Sequence, residues 1–326
     1  IRRQRQMCIR DSINSSRERR LDYLKNQKGI PDAEANRLID RDESESDKLG
    51  QHMKDAFHLA DGFIDMDSGN VSDQISRILD LIFGKPCVTP TRDEYAMFLA
   101  FAASIRSADL SRQVGAVITS KTGEIIATGA NDVPCFGGGL YWADHADEDQ
   151  RDYQKGFDSN EDRRNKIVTE IMKKFNGDLT PSELLKKGKE ALKDTGILDI
   201  TEYGRAVHAE MEALLSCGRS GVSTRESTLY TTTFPCHNCA KHIVASGISR
   251  VVFVEPYPKS LAMDLHSDAI FLAHEGGSAQ QSDKVCFEPF IGIGPRRFLD
   301  LFSMDLSRGR KTKREEDGKF IGWGRD

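Results

Sequence analysis

At 326 residues the chain is long for one compact domain, which sets the expectation of one large domain or two unequal ones. Apolar residues make up 38% and charged residues 30%, and no apolar run approaches the roughly 18–20 residues of a membrane span. The formal net charge of −5 speaks against a generally basic nucleic-acid binder and leaves small anionic substrates open. Seven cysteines, scattered except for one Cys-x-x-Cys pair, do not form the even framework of a secreted disulfide scaffold, so the expected compartment is the cytoplasm.

The first residue is Ile1 rather than Met, and residues 1–16 read as a non-native or disordered start to be set aside from fold reasoning. Ala33 to Lys48 is charged helical text, followed by Gln51–Phe57 and a brief apolar strand near Ala60–Asp65. Val71, Ile75, Ile78, Leu79 and Ile82 then recur at helical spacing and bury one face. Residues 17–88 together look like the closing part of an α/β domain. Pro86 and Pro90 mark a boundary before a helix over Asp93–Ser107. Two strands, Val114–Thr119 and Glu124–Gly129, flank a Ser-Lys-Thr-Gly hairpin turn.

Residues 135–205 are polar and too long for an unstructured loop, so they are expected to be an insertion with one or two helices, over Ile167–Phe175 and Pro181–Lys193. Its Gly137-Gly138-Gly139 lacks the Gly-Lys-Ser/Thr that a phosphate-binding P-loop requires. Helices and strands then alternate: helix Ala206–Ser216, strand Thr228–Thr232, helix Cys236–Ser246, strand Val251–Glu255, helix Leu261–His274 and strand Lys284–Phe287. That alternation predicts a layered α/β domain. An amphipathic piece at Phe298–Phe302 precedes a charged tail, whose basic stretch Arg308–Arg314 reads as a solvated face.

The chemistry is carried by His208-Ala209-Glu210 and, downstream, Pro235-Cys236-His237-Asn238-Cys239. A helix starting at the second motif brings both sulfurs to its first turn, where backbone donors and the helix dipole favour thiolates. One imidazole and two thiolates give Zn²⁺ three protein ligands and leave a fourth tetrahedral position open, the mark of a catalytic site. Zinc lowers the pKa of water toward about 7. Glu210, reaching the same site at a helix start, is placed to take that proton and carry it to a ring nitrogen and then to a departing amine. The combination H-x-E with P-C-x-x-C is a known zinc-deaminase signature. The cysteine pair by itself also permits a redox couple, or a structural zinc site completed by His237, His242 or Cys217.

The segments SADLSRQVGAVI (107–118), IIATGAN (125–131) and LYTTTFPCHNCAKHI (229–243) resemble the deoxycytidylate deaminase family. The resemblance implies a three-layer α-β-α cytidine deaminase-like fold with a mixed five-stranded sheet over residues 89–326. It also implies that Asn131 contacts the nucleotide, and that Arg112, and Arg106 as a second candidate, meet its phosphate. The family commonly has Gly-Tyr-Asn where this chain has Gly129-Ala130-Asn131, which removes an aromatic side chain. The sequence from Glu255 to Ser260, the insertion and the upstream segment are similar to the bacterial antiphage dCTP deaminases, in which a P-loop kinase-like domain precedes the deaminase. This implies nucleotide depletion during phage infection, and it adds Tyr257 and Lys259 to the candidate pocket. No Walker A sequence occurs, so residues 17–88 are expected to be the remnant of such a domain.

Three functions follow as expectations. The first is deamination of free dCMP or dCTP, in defence or as a housekeeping step toward dTMP. The second is deamination of a base in RNA or single-stranded DNA, which the acidic balance disfavours. The third is a catalytically silent zinc module, which the intact Glu210 opposes. The expected partners are a deoxycytidine nucleotide and further copies of the chain, with no membrane.

Overall fold

A computed structural model of the chain describes residues 11–44, 59–67, 69–145, 149–175, 179–193, 195–257, 259–273, 283–303 and 314–320. Gln51–Phe57 and most of the basic tail, both singled out in the sequence, lie outside them. Its strands are β1 (Asp11–Asn14), β2 (Gly62–Asp65), β3 (Gly115–Thr119), β4 (Ile125–Ala130), β5 (Thr228–Thr233), β6 (Arg250–Glu255), β7 (Ile270–Leu272), β8 (Val285–Pro289) and β9 (Gly292–Ile293). The helices of six residues or more are α1 (Arg17–Asp22), α2 (Asp32–Ser44), α3 (Val71–Ile82), α4 (Arg92–Ser104), α5 (Ser159–Phe175), α6 (Pro181–Ala191), α7 (Ala209–Ser220) and α8 (His237–Ala245). Among the described residues no helix is long and apolar enough to cross a membrane.

The larger sheet is mixed, in the order β4-β3-β5-β6-β8-β7. β3 pairs antiparallel with both β4 and β5, whereas β5, β6, β8 and β7 run parallel to one another. Side chains alternate across a strand, so each strand feeds two cores. Ala116, Ile118, Leu229, Val251 and Phe253 face α7 and α8 with Ala213, Ala240 and Ile243. Val117, Tyr230, Val252 and Val254 face α4 with Ala96, Met97 and Ala100. The result is an α-β-α sandwich, with one strand more than the five expected. The extra strand is β7: the predicted helix from Leu261 to His274 is a single turn, Ala262–Leu265, followed by a short strand parallel to β8.

Two glycines set how closely the helices approach the sheet. A Cβ at Gly115 would lie 1.9 Å from the Ala100 carbonyl oxygen of α4, and one at Gly129 would lie 2.1 Å from that of Ala209 in α7. Any other residue at either position would push a helix away. At Gly129 that helix carries Glu210.

The smaller sheet joins β1 and β2 in parallel, with β9 antiparallel to β2. β1 thus lies inside the opening stretch set aside in the sequence, and β9 returns from beyond the larger sheet. Ile64, Ile78, Leu81 and Ile293 form its core. Thr91 and Glu94 make a reciprocal capping box at the start of α4. Glu94, 1% exposed, also accepts both Arg77 guanidinium N–H groups at 2.8 Å and the Ile293 N–H at 2.8 Å. One carboxylate therefore ties α3, α4 and β9 together. The insertion holds α5 and α6, packed through Val168, Leu184 and Met172; α6 has the Thr180 cap and Pro181 start expected of it.

Candidate zinc centre and its cavity

His208 and Cys236 are the N-cap residues of α7 and α8, both with extended backbone (φ −70°, ψ 153° and φ −69°, ψ 165°). Two helix starts thus meet at one end of the parallel strands, their unpaired N–H groups and positive dipole ends converging on the same point. Ser260 Oγ donates to the Pro235 carbonyl at 2.7 Å and fixes the loop entering α8. The Asp132 and Val207 backbones exchange two hydrogen bonds, of 3.3 and 2.9 Å, and fix the approach to His208.

The donor atoms of His208, Cys236 and Cys239 lie within 4.8 Å of one another, with His208 Nδ1 3.3 Å from each sulfur. Tetrahedral Zn²⁺ with metal–sulfur bonds of about 2.3 Å and a metal–nitrogen bond of about 2.0 Å calls for donor separations of roughly 3.5 Å, so this donor set fits that ion. Contact with the Cys239 thiol, and then with the His208 ring, brings the Cys236 thiol down to about 3. The His208 imidazole, hydrogen-bonded to Cys236, is pushed up to about 9. The three groups share protons that a divalent cation displaces. Among the described residues, His237, His242 and Cys217 are not part of this donor cluster.

Glu210 sits in the first turn of α7, 4% exposed, and burial raises its carboxyl above the usual range. Its electrostatic neighbours are His208, Cys236 and Cys239. A carboxyl so placed holds its proton to higher pH than a solvated one, as suits a proton carrier.

A cavity of about 760 Å³ opens onto this cluster; its wall includes Glu210, His208, Cys236, Asn131, Arg112, Tyr257 and Lys259. Arg112 lies 5.3 Å from the centre of the Tyr257 ring and makes a long ion pair, of 3.9 Å, with the Glu255 carboxylate. Asn131 lines the cavity, but its amide already serves the backbone: Oδ1 accepts from Val114 N at 2.6 Å and Nδ2 donates to the Arg112 carbonyl at 2.8 Å. A ligand would use the second lone pair or the second N–H. Lys259 pairs with Asp199 of the insertion at 2.7 Å.

Arg106 is not in this wall. It donates to the Tyr141 carbonyl at 3.2 Å and stacks 3.5 Å over the Trp142 ring. Ala130, where the family pattern has tyrosine, is fully buried and is also absent from the wall. What sequence reasoning missed is the far wall, which the insertion supplies. Asn160 holds the Ile200 carbonyl at 2.8 Å, Arg164 holds that of Leu198 at 2.6 Å, and Arg205 pairs with Asp152 at 2.7 Å. The insertion's polarity was visible; no spacing rule could bring it to the cavity.

The model of the cytidine and deoxycytidylate deaminase zinc-binding region matches residues 90–255. The deoxycytidylate deaminase of Enterobacteria phage T4 is 32% identical over 164 residues, 50% of this chain and 77% of that protein. That of Saccharomyces cerevisiae is 29% identical over 177 residues, 53% of this chain and 40% of the yeast protein. Among solved structures, the apo dCMP deaminase of cyanophage S-TIM5 aligns with 62% of this chain and 100% of its own at 18% identity, with a TM-score of 0.33. The matched region contains both helix starts and all three metal donors, and on that match the chain belongs to the cytidine and deoxycytidylate deaminase family, with a Zn²⁺-dependent active site.

Proposed function

We propose that the protein hydrolytically deaminates the cytosine of a free deoxycytidine nucleotide, dCTP or dCMP, releasing ammonia and the deoxyuridine nucleotide. The observation that carries this reading is the buried Glu210 beside His208, Cys236 and Cys239, in one cavity with Arg112, Asn131 and Tyr257. His208, Cys236 and Cys239 would hold Zn²⁺, which would supply a Lewis acid that lowers the pKa of water. Glu210 would take one proton from water and give it to N3 of the ring as the water oxygen bonds to C4; it would then move the second water proton to the exocyclic amine as the C4–N bond breaks, so that ammonia leaves and the oxygen stays on C4. Arg112 meets phosphate, Tyr257 keeps that guanidinium oriented, and Lys259 is a second cation at the rim. Asn131 fixes the Arg112–Val114 segment and offers its remaining amide valences to the nucleotide.

Carboxylates outnumber cations along the cavity wall, which suits one short phosphate chain better than the continuous charge of RNA or single-stranded DNA. Depletion of dCTP in phage defence, with residues 17–88 as the end of a P-loop kinase-like domain, is the biological reading we attach. It rests on the similarity of the Glu255–Ser260 sequence and the insertion to the antiphage branch.

The test is a substrate panel. Full-length chain with one equivalent of zinc is offered dCMP, dCTP, cytidine and a cytosine-containing oligonucleotide, and ammonia is measured. Release from the free deoxynucleotides is expected; turnover of the oligonucleotide alone would overturn the reading.

A further inference from the structure

We propose that the insertion is part of the metal site, and that Arg151 is the positioning residue through which it acts. The inference rests on the zinc reading of His208, Cys236 and Cys239. At the root of the insertion, three charged side chains are nearly removed from water: Asp132 is 1% exposed, Arg151 6% and Asp149 8%. Burying charge costs several kcal/mol per ion unless partners replace the lost water. Here they do.

Arg151 directs Nε to both Asp149 oxygens, at 3.0 and 2.9 Å, and Nη2 to Oδ2 at 2.6 Å. The Tyr153 hydroxyl donates to the same Oδ2 at 2.7 Å. The remaining guanidinium nitrogen, Nη1, reaches Asp132 Oδ2 at 3.5 Å. Asp132 stands at the end of β4 and turns the contact toward the active site. Its Oδ2 accepts from Ala108 N at 3.2 Å, at the head of the loop bearing Arg112, and its backbone exchanges two hydrogen bonds with Val207. Val207 immediately precedes the His208 donor. Arg106 is the other cation acting electrostatically with this cluster, but its side chain is committed to Tyr141 and Trp142.

His208 lies before the first turn of α7, so the Asp132–Val207 pair holds it from the N-terminal side. A metal donor must keep its place to within about 0.5 Å, and outlying hydrogen bonds secure that. Loss of Arg151 leaves Asp132 and Asp149 buried without their shared cation; the strain of rehydrating them falls on the strand end that holds Val207.

The experiment compares variants of the full-length chain by two readouts: zinc affinity, from competition with a chromophoric chelator, and the thiolate-to-metal absorption of the Co²⁺-substituted protein. Arg151→Met is expected to weaken zinc binding by about tenfold or more, the range seen when supporting hydrogen bonds around metal ligands are removed, and to shift the cobalt bands. Leu184→Ala, in the α5–α6 core away from this link, lowers stability and leaves both readouts unchanged. Native affinity and spectrum in Arg151→Met, or an equal loss in Leu184→Ala, overturns the proposal. Arg151→Lys keeps the charge without the fork and carries the test if the methionine variant does not fold; an affinity below native supports the proposal and an unaltered one rejects it. Failure of the unaltered chain to take up zinc would instead remove the zinc reading, and this inference with it.

Discussion

Two glutamates, Glu94 and Glu210, lie in the first turns of helices on opposite faces of the same sheet, and both are almost completely buried. Glu94 is saturated: a guanidinium, the capping N–H of Thr91 and the N–H of Ile293 fill its acceptor sites. Glu210 faces a cavity, and its electrostatic neighbours are the metal donors. The far face turns burial into a stitch between the N-terminal unit and the sheet. The site face turns it into a raised carboxyl beside a metal. Burial alone does not mark a reacting group; burial on a cavity wall beside the metal donors does.

The largest effect that tests this contrast comes from the donors. Cys239→Ala should abolish both zinc uptake and ammonia release, because two protein ligands do not hold a catalytic zinc. Metal analysis showing a full equivalent of zinc in that variant would break the ligand assignment. Next is Glu210→Gln, which should retain zinc and lose turnover by about 10²–10⁴-fold, the usual contribution of a positioned acid–base group. Glu94→Ala should do the reverse. It removes the capping box of α4 and the Arg77 and Ile293 contacts, seen as a lower unfolding midpoint, while activity per folded molecule stays unchanged. A stable Glu94→Ala chain with impaired turnover would erase the distinction between the two faces.

Much of the site face was legible in the sequence because its chemistry is local. His208 and Glu210 share one helix start, Cys236 and Cys239 another, and each spacing has a direct geometric meaning. The succession of helices and strands from α7 to β8 pointed to the layered α/β fold in the same way. β7 was not legible, since Ala269–Leu272 is a short apolar run that helix and strand accommodate equally well; only its pairing with β8 decides. β9 is two residues long and exists because β2 offers it an edge. The insertion's contacts with the cavity side of the domain run through Arg151, Asp132 and Asp199, whose partners lie from 2 to 60 positions away, beyond the reach of any local spacing rule.

Arg112 and Arg106, both read as phosphate candidates, separate in the structure, and substitution should separate them too. Arg112→Ala is expected to raise KM by about ten- to a hundredfold, the worth of a charge-assisted hydrogen bond of about 1.5–3 kcal/mol, with little change in kcat. Arg106→Ala should leave KM unchanged and lower stability, because its guanidinium holds the Tyr141–Trp142 turn. Equal KM effects from the two would return Arg106 to the binding surface.

The smallest expected effect lies at the rim, where Lys259 and Asp199 pair at 2.7 Å with 64% and 47% of their side chains exposed. An exposed pair is worth about 0.2–1 kcal/mol, so as a mere brace either alanine variant should lower stability by that amount and leave KM alone. If Lys259 instead meets substrate phosphate, Asp199 competes with that phosphate for the same ammonium. The two variants then move in opposite directions: Lys259→Ala raises KM, and Asp199→Ala lowers it by releasing the lysine. Both shifts should be a few-fold at low ionic strength and shrink as added salt screens the exposed charges. Parallel changes in the two variants would assign the pair to the scaffold and leave Arg112 as the cation that carries the phosphate assignment.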